Sequence, residues 1–374
     1  MRARIVIIGT GTTGLCLALE LARRTNPLTE PVLLISAGGL NPQELELCRH
    51  DLEGEGLALE ARHGLRFWSG LWAATGRDPG WNSCGLAYEE VREEDAPAWK
   101  KLLDLGASVR REKDCVFDED AGTLSTAKAL TCLEALAREA GAVVRTGDVA
   151  QELIVEAGKV TGVKTSSGLI KTAEVVLAGA RAATIAPGGP PVLDERSWTE
   201  LGYETSGGEA LVEETTSGER EIGDLFATNA LGRQAAAAAF EDHFEQEEPS
   251  SSEVRAQVSG SSVAAPEQDG RLWVGGPKQA EVDALAQRVL GSALLKEQRT
   301  RSTWLAADER PVIGPLPATE GAWIACAFGE NTSLYAPACA EALAGRVLKG
   351  ETGWFRGGDY DPRRASLSWS NRAR

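Results

Sequence analysis

The chain opens on RIVIIGTGTTGLCLALELARR, residues 4–24: an apolar strand, glycines at 9, 11 and 14, then an amphipathic helix. In a strand–turn–helix unit each glycine of this spacing has a separate task. Gly9 lets the strand end turn sharply, Gly11 lets backbone approach a pyrophosphate, and Gly14 lets helix and strand pack closely. The helix that starts here aims its free N–H groups, those of Thr12 and Thr13 among them, and its positive dipole end at an anion. Three glycines can also serve a tight turn with no ligand. Their place directly behind an apolar strand favours a dinucleotide site.

A second buried strand, PVLLIS, follows at 31–36 and ends in Ser36. A dinucleotide site commonly has a carboxylate here to grip both ribose hydroxyls. A serine hydroxyl offers one neutral hydrogen bond in place of two charge-assisted ones, a loss of roughly 1–3 kcal/mol in cofactor binding. No arginine follows directly, so NADP is not favoured over NAD or FAD.

At 374 residues the chain is longer than a typical single domain, so two domains are expected. Its net charge of −16 argues against a nucleic-acid or anionic-membrane partner. No run is long and apolar enough to span a membrane. The N-terminus enters a strand pattern at once, without a cleavable leader. The seven cysteines lack CxxC spacing and read as reduced thiols, so a cytoplasmic location is expected. The three histidines do not pair with cysteines at ligand spacing, and no metal site is expected.

Further along, LALEARHGLRFWSGLWAAT has helical spacing. Residues 126–180 read as a helix, the strand AVVRTG, two hairpin strands turning at Gly158-Lys159 and Ser167-Gly168, and the buried strand EVVLAGA. Residues 187–260 are rich in proline, glycine, serine and acids, with weak periodicity. A short strand DGRLWVGG, a helix near 280–296, a strand–turn segment from 310 and a last helix closed by Gly350 complete the pattern. The fold expected is α/β: a Rossmann-like nucleotide-binding domain built from discontinuous segments, with a β-rich α+β second domain. Residues 1–75, 125–185 and 305–350 are assigned to the first domain, 76–124 and 186–304 to the second, and 351–374 to a C-terminal tail.

The segments FDEDAGTLSTAKALTCLEALAREAGAVVRTGDV, GKVTGVKTSSGLIKTAEVVLAGA, DGRLWVGG and ERPVIGPLPATEGAWIACAFGENTSLYAPACAEALAGRVL, in this order, resemble the D-amino-acid oxidase family of FAD-dependent oxidoreductases. Within it they look most like the glycine oxidase and monomeric sarcosine oxidase branch. The resemblance implies FAD in an extended pose and oxidation of an amine or amino acid at the flavin face. It places Val149 where backbone meets the adenine, and Ala178-Gly179 beside the pyrophosphate. Gly329, Glu330, Asn331, Thr332 and Ser333 match the turn under the flavin's pyrimidine edge.

This chain also departs from the family pattern. Ala327, Glu330 and Thr332 occupy glycine slots, and Leu334 stands where sarcosine oxidases carry a basic residue. A carboxylate at Glu330 would oppose the charge of a reduced flavin by about 3 kcal/mol. The slot of the covalently attaching cysteine falls on Arg301, which implies non-covalent FAD. CRHDLEGEG resembles a stretch whose arginine binds the substrate carboxylate, making Arg49 the first catalytic candidate. A surface arginine paired with Glu46 or Asp51 explains Arg49 equally well. Arg301, near the segment where glycine oxidases place their carboxylate arginine, is the second candidate.

Two functions stand against each other. One is an FAD-dependent oxidase or dehydrogenase of amines or amino acids, passing electrons to oxygen or another acceptor. The other is a degenerate family member that binds FAD or another ligand without amine oxidation.

Overall fold

The computed structural model describes residues 1–38, 45–50, 58–88, 102–104, 106–112, 115–204, 256–259, 262–266, 271–276, 294–349 and 360–367, with 100, 282–283 and 369 besides. Strand β1 (Ile5–Ile8) and helix α1 (Thr12–Arg24) bracket the glycine turn, and β2 (Val32–Ser36) follows. β1 pairs in parallel with β2 on one side and with Glu174–Ala178 on the other. Val143–Thr146 extends the sheet beyond β2, while Ala322–Cys326 and then the antiparallel edge strand Val312–Pro315 extend it beyond Glu174–Ala178.

Each face of this sheet has its own core, as the near-continuous apolar strands require. Ile5, Ile7 and Leu34 join α1, helix α2 (Ala58–Thr75), Thr126–Glu139 and the C-terminal helix Thr332–Lys349. Val6, Ile8, Leu33 and Ile35 join the small antiparallel sheet of Ala150–Glu156, Lys159–Thr165 and Gly168–Lys171. The first hairpin turns at Ala157 and Gly158, both at positive φ, one residue earlier than expected. The second turns at Ser166 and Ser167.

Among the described residues, an eight-stranded sheet runs Leu294–Ala306, Leu193–Glu204, Arg271–Gly276, Ser262–Pro266, Ala256–Ser259, Leu86–Tyr88, Cys115–Asp118, Val109–Glu112. Two of its strands correct the sequence reading. Leu193–Glu204 lies inside the stretch of weak periodicity, where a 13-residue partner, Leu294–Ala306, carries it through main-chain pairing rather than a sequence pattern. That partner also takes residues 294–296, given above to a helix; residues 284–293 lie outside the described residues. A third small sheet joins strand β3 (Leu45–Cys48), Gly122–Ser125 and Trp81–Asn82.

The C-terminal stretch packs onto the first sheet's surroundings. Tyr360 and Leu367 are buried, the Tyr360 carbonyl accepts the Ile313 N–H at 2.9 Å, and the Arg364 guanidinium grips Asp308 at 2.6 and 2.8 Å.

Candidate active site

Parallel pairing brings the site together. β1, Glu174–Ala178 and Ala322–Cys326 run side by side, so the turns leaving their C-terminal ends emerge on one edge: Gly9 onward, Gly179 onward, and Ala327 onward. Ligands of open α/β sheets bind at this edge, where neighbouring connections leave to opposite sides.

The three opening glycines divide by function. A Cβ on Gly9, at φ +118°, would lie 2.1 Å from the Ala178 carbonyl oxygen, and one on Gly14 would lie 1.8 Å from that of Gly9. Both are demanded by the fold. A Cβ on Gly11 would meet nothing within 4 Å, nor would one on Gly179. At these two positions backbone faces open space, as close approach of a ligand requires. Gly11 caps α1 with extended dihedrals, and the helix has no acidic residue in its first turn. Its N-terminal amides are therefore available to an anion.

The resulting cleft, of about 250 Å³, is lined by Gly11, Thr12, Thr13, Gly179, Ala180 and the turn 326–330, with Glu46, Thr303, Trp304, Thr332 and Ser333. Thr303 and Trp304 come from the long strand Leu294–Ala306, so the second sheet supplies one wall. Ala327 holds φ +63°, the left-handed backbone of a glycine slot, in spite of its side chain. A 3-10 turn, Gly329–Asn331, then leads into the C-terminal helix. Burial pushes the Cys326 thiol up to about 12, with Arg364 pulling weakly the other way, so the cleft's cysteine is a neutral thiol and no nucleophile.

The N-terminus of the C-terminal helix is held tightly. The Trp68 indole, fully buried, donates to the Ser333 carbonyl at 2.8 Å. The Thr12 and Ser333 hydroxyls are 3.2 Å apart. A Cβ on Gly64 would lie 1.8 Å from the Leu334 carbonyl oxygen, so α2 touches this helix backbone to backbone. Leu334 is core. The Ser333 N–H donates to Glu46 Oε1 at 2.6 Å, and Glu46 is only 4% exposed. Sequence reasoning missed this role of Glu46. The signal was the alternation in LELC, which sets Glu46 and Cys48 on one buried face.

The other anticipated residues are more dispersed. Ser36 is half-buried at the end of β2, and its hydroxyl donates to the Gly38 carbonyl at 3.0 Å. Val149 is exposed; its N–H donates to Ser166 Oγ at 3.0 Å and its carbonyl accepts the Ser166 N–H at 2.9 Å. Glu330 is half-buried in the cleft wall. Arg49, half-buried just beyond β3, is absent from the described residues lining the cleft. Arg301 sits in strand opposite Trp198; its side chain lies outside the described residues. Asp51, the other suggested partner of Arg49, also lies outside them.

An open anion seat beside a glycine turn, on the carboxyl edge of a mixed sheet walled by a second sheet, defines a dinucleotide-binding α/β protein. The family model for FAD-dependent oxidoreductases matches residues 4–346, and the chain belongs to that family. Solved structures of the same fold include an L-amino acid deaminase from Proteus vulgaris, at TM-score 0.73 and 16% identity, covering 97% of each chain. Iminodiacetate oxidase from Chelativorans sp. BNC1 gives TM-score 0.71 at 18% identity over 96% of this chain and 99% of that one. Glycine oxidase from Geobacillus kaustophilus gives 0.69 at 14% identity, over 97% and 99%. No curated protein sequence matches. FAD is the cofactor of the family, and the open Cβ positions at Gly11 and Gly179 fit its pyrophosphate.

Proposed function

We propose that this chain oxidises the C–N bond of a small amine or amino acid with non-covalent FAD, and passes the electrons to oxygen or another acceptor. The observation that carries the reading is the pair of open backbone positions, Gly11 and Gly179, beside the N-terminal amides of α1, which no side chain caps. FAD supplies the two-electron acceptor. The amides of Thr12 and Thr13 would hold its pyrophosphate, with Gly179 allowing close passage on the other side. Ser36 and Val149 would face the adenosine half once their bonds to Gly38 and Ser166 rearrange. Residues 329–333 would border the flavin, where Trp304 excludes water from one side. Arg49 and Arg301 are the candidates for anchoring a substrate carboxylate. The substrate is a small molecule rather than a nucleic acid, and a cytoplasmic location accords with the reduced cysteines.

A second reading, FAD binding without amine oxidation, is favoured by one observation: a buried carboxylate, Glu46, on the helix end beside the flavin border. Anaerobic mixing of the FAD-loaded protein with a panel of primary amines, secondary amines and amino acids separates the two. Bleaching of the flavin absorbance near ~450 nm by any of them supports the first. An unbleached spectrum with every compound supports the second.

A further inference from the structure

Of the helix N-termini that border the cleft, those of α1 and the C-terminal helix are treated differently by the protein. At α1 the cap is a glycine, and no acid stands in the first turn. At the C-terminal helix the Ser333 amide already has an anion, Glu46 Oε1 at 2.6 Å. That carboxylate is 4% exposed and comes from another sheet, 287 residues earlier in the chain. The amide it binds is fixed by Trp68, Thr12 and the backbone contact at Gly64. Such a carboxylate is stabilised by a charge-assisted hydrogen bond and by the helix dipole. In return it offsets the positive end of that dipole at the cleft wall.

We infer that Glu46 is an internal anion seated on the C-terminal helix, and that it acts as a positioning residue which makes the bound flavin harder to reduce. The inference rests on the FAD reading above and deepens it. Oxidising an amine breaks its α-C–H bond and moves two electrons with that hydrogen to the flavin. The amine becomes an iminium, and the neutral flavin becomes an anion charged around N1 unless a proton joins it there. A free helix N-terminus would stabilise that charge. A seated carboxylate opposes it, favouring the oxidised flavin and, once reduced, the form protonated at N1. Substrates then have to be strong reductants, and the reduced flavin is a ready donor to its acceptor.

The test is the midpoint potential of bound FAD, measured anaerobically against reference dyes, in the parent and in Glu46→Gln and Glu46→Asp. Gln keeps an oxygen for the Ser333 N–H but removes the charge; Asp keeps the charge. A unit charge acting over several ångströms at an effective dielectric near 20 shifts the oxidised-to-reduced ratio by roughly 100-fold. At about 30 mV per tenfold for two electrons, Gln should raise the potential by ~60 mV, with Asp close to the parent. In the parent, the N1 proton of bound reduced flavin should be lost at higher pH than in free reduced FAD. If Glu46→Gln does not fold, this titration alone decides. A potential change under about threefold in the ratio overturns the inference, as does parent N1 titrating like free reduced FAD where no variant folds. A folded parent that takes up no FAD overturns the functional reading itself, and the inference with it.

Discussion

Gly11→Asp should stabilise the protein and abolish useful cofactor binding, two effects of opposite sign from one substitution. Gly11 sits at φ −70° and ψ 179°, a conformation open to any residue, and its Cβ would meet nothing within 4 Å. An aspartate there caps α1, which has no side-chain cap of its own. Capping adds a few tenths of a kcal/mol over glycine, and the charge at the helix N-terminus a further 0.3–1 kcal/mol, about 1 kcal/mol together. The same carboxylate takes the amides proposed for the pyrophosphate. At about 5 Å and an effective dielectric near 20 it repels a unit of phosphate charge by about 3 kcal/mol, a loss of more than ~100-fold in affinity. Chemical denaturation of the apo-protein measures the first effect, and quenching of FAD fluorescence on titration the second. Gly14→Ala is the control: its Cβ would be forced to 1.8 Å from the Gly9 carbonyl oxygen, so stability falls by about 3 kcal/mol or more. If Gly11→Asp binds FAD within threefold of the parent, the N-terminus of α1 is not the pyrophosphate seat.

Further outcomes follow from other residues. Ala327→Gly relieves a left-handed alanine and should raise stability by about 0.5–1 kcal/mol, read by denaturation; an unchanged midpoint would refute the strain. The Arg364 guanidinium holds the Asp308 carboxyl well below the usual carboxylate range. The stability it supplies is therefore complete above the ordinary aspartate value and is lost as pH falls through the depressed one. Hydrogen-exchange protection at 360–367, relative to the intrinsic rate at each pH, should fall in acid, and Arg364→Ala should remove that pH dependence. Burial pushes the Glu60 carboxyl up, against a bond to Tyr360, so stability declines as pH rises from the ordinary glutamate value through the raised one. Glu60→Gln should accordingly melt higher than the parent at pH 7, and no higher at pH 4. Acid precipitation of the FAD-loaded chain should release all flavin to the supernatant; flavin retained in the pellet would contradict non-covalent binding.

The first sheet was legible because its strands are apolar on both faces and its turns are marked by glycine. Residues 5–8 and 174–178 read as buried strands, and they lie side by side. The second sheet was not. Leu193–Glu204 alternates little and is held by main-chain pairing with a strand a hundred residues away, which no local pattern encodes. At the site, the glycine turn at 9–14 could be read because backbone requirements leave marks in sequence, whereas residues 329–333 were marked by the family resemblance. Glu46 could not be read. It owes its place to the Ser333 amide of a helix 287 residues further on, which no local pattern encodes. Trp304 forms one wall of the cleft, because the strand that carries it ends beside the turn at 327–329.

The cofactor content of the purified chain tests FAD binding most directly. Protein expressed and isolated without added flavin, then topped up with FAD and desalted, should be yellow. It should absorb near ~450 nm, carry FAD at one equivalent per chain, and give up that FAD in acid. Folded protein that remains colourless after this treatment, and leaves FAD fluorescence unquenched on titration, would contradict it.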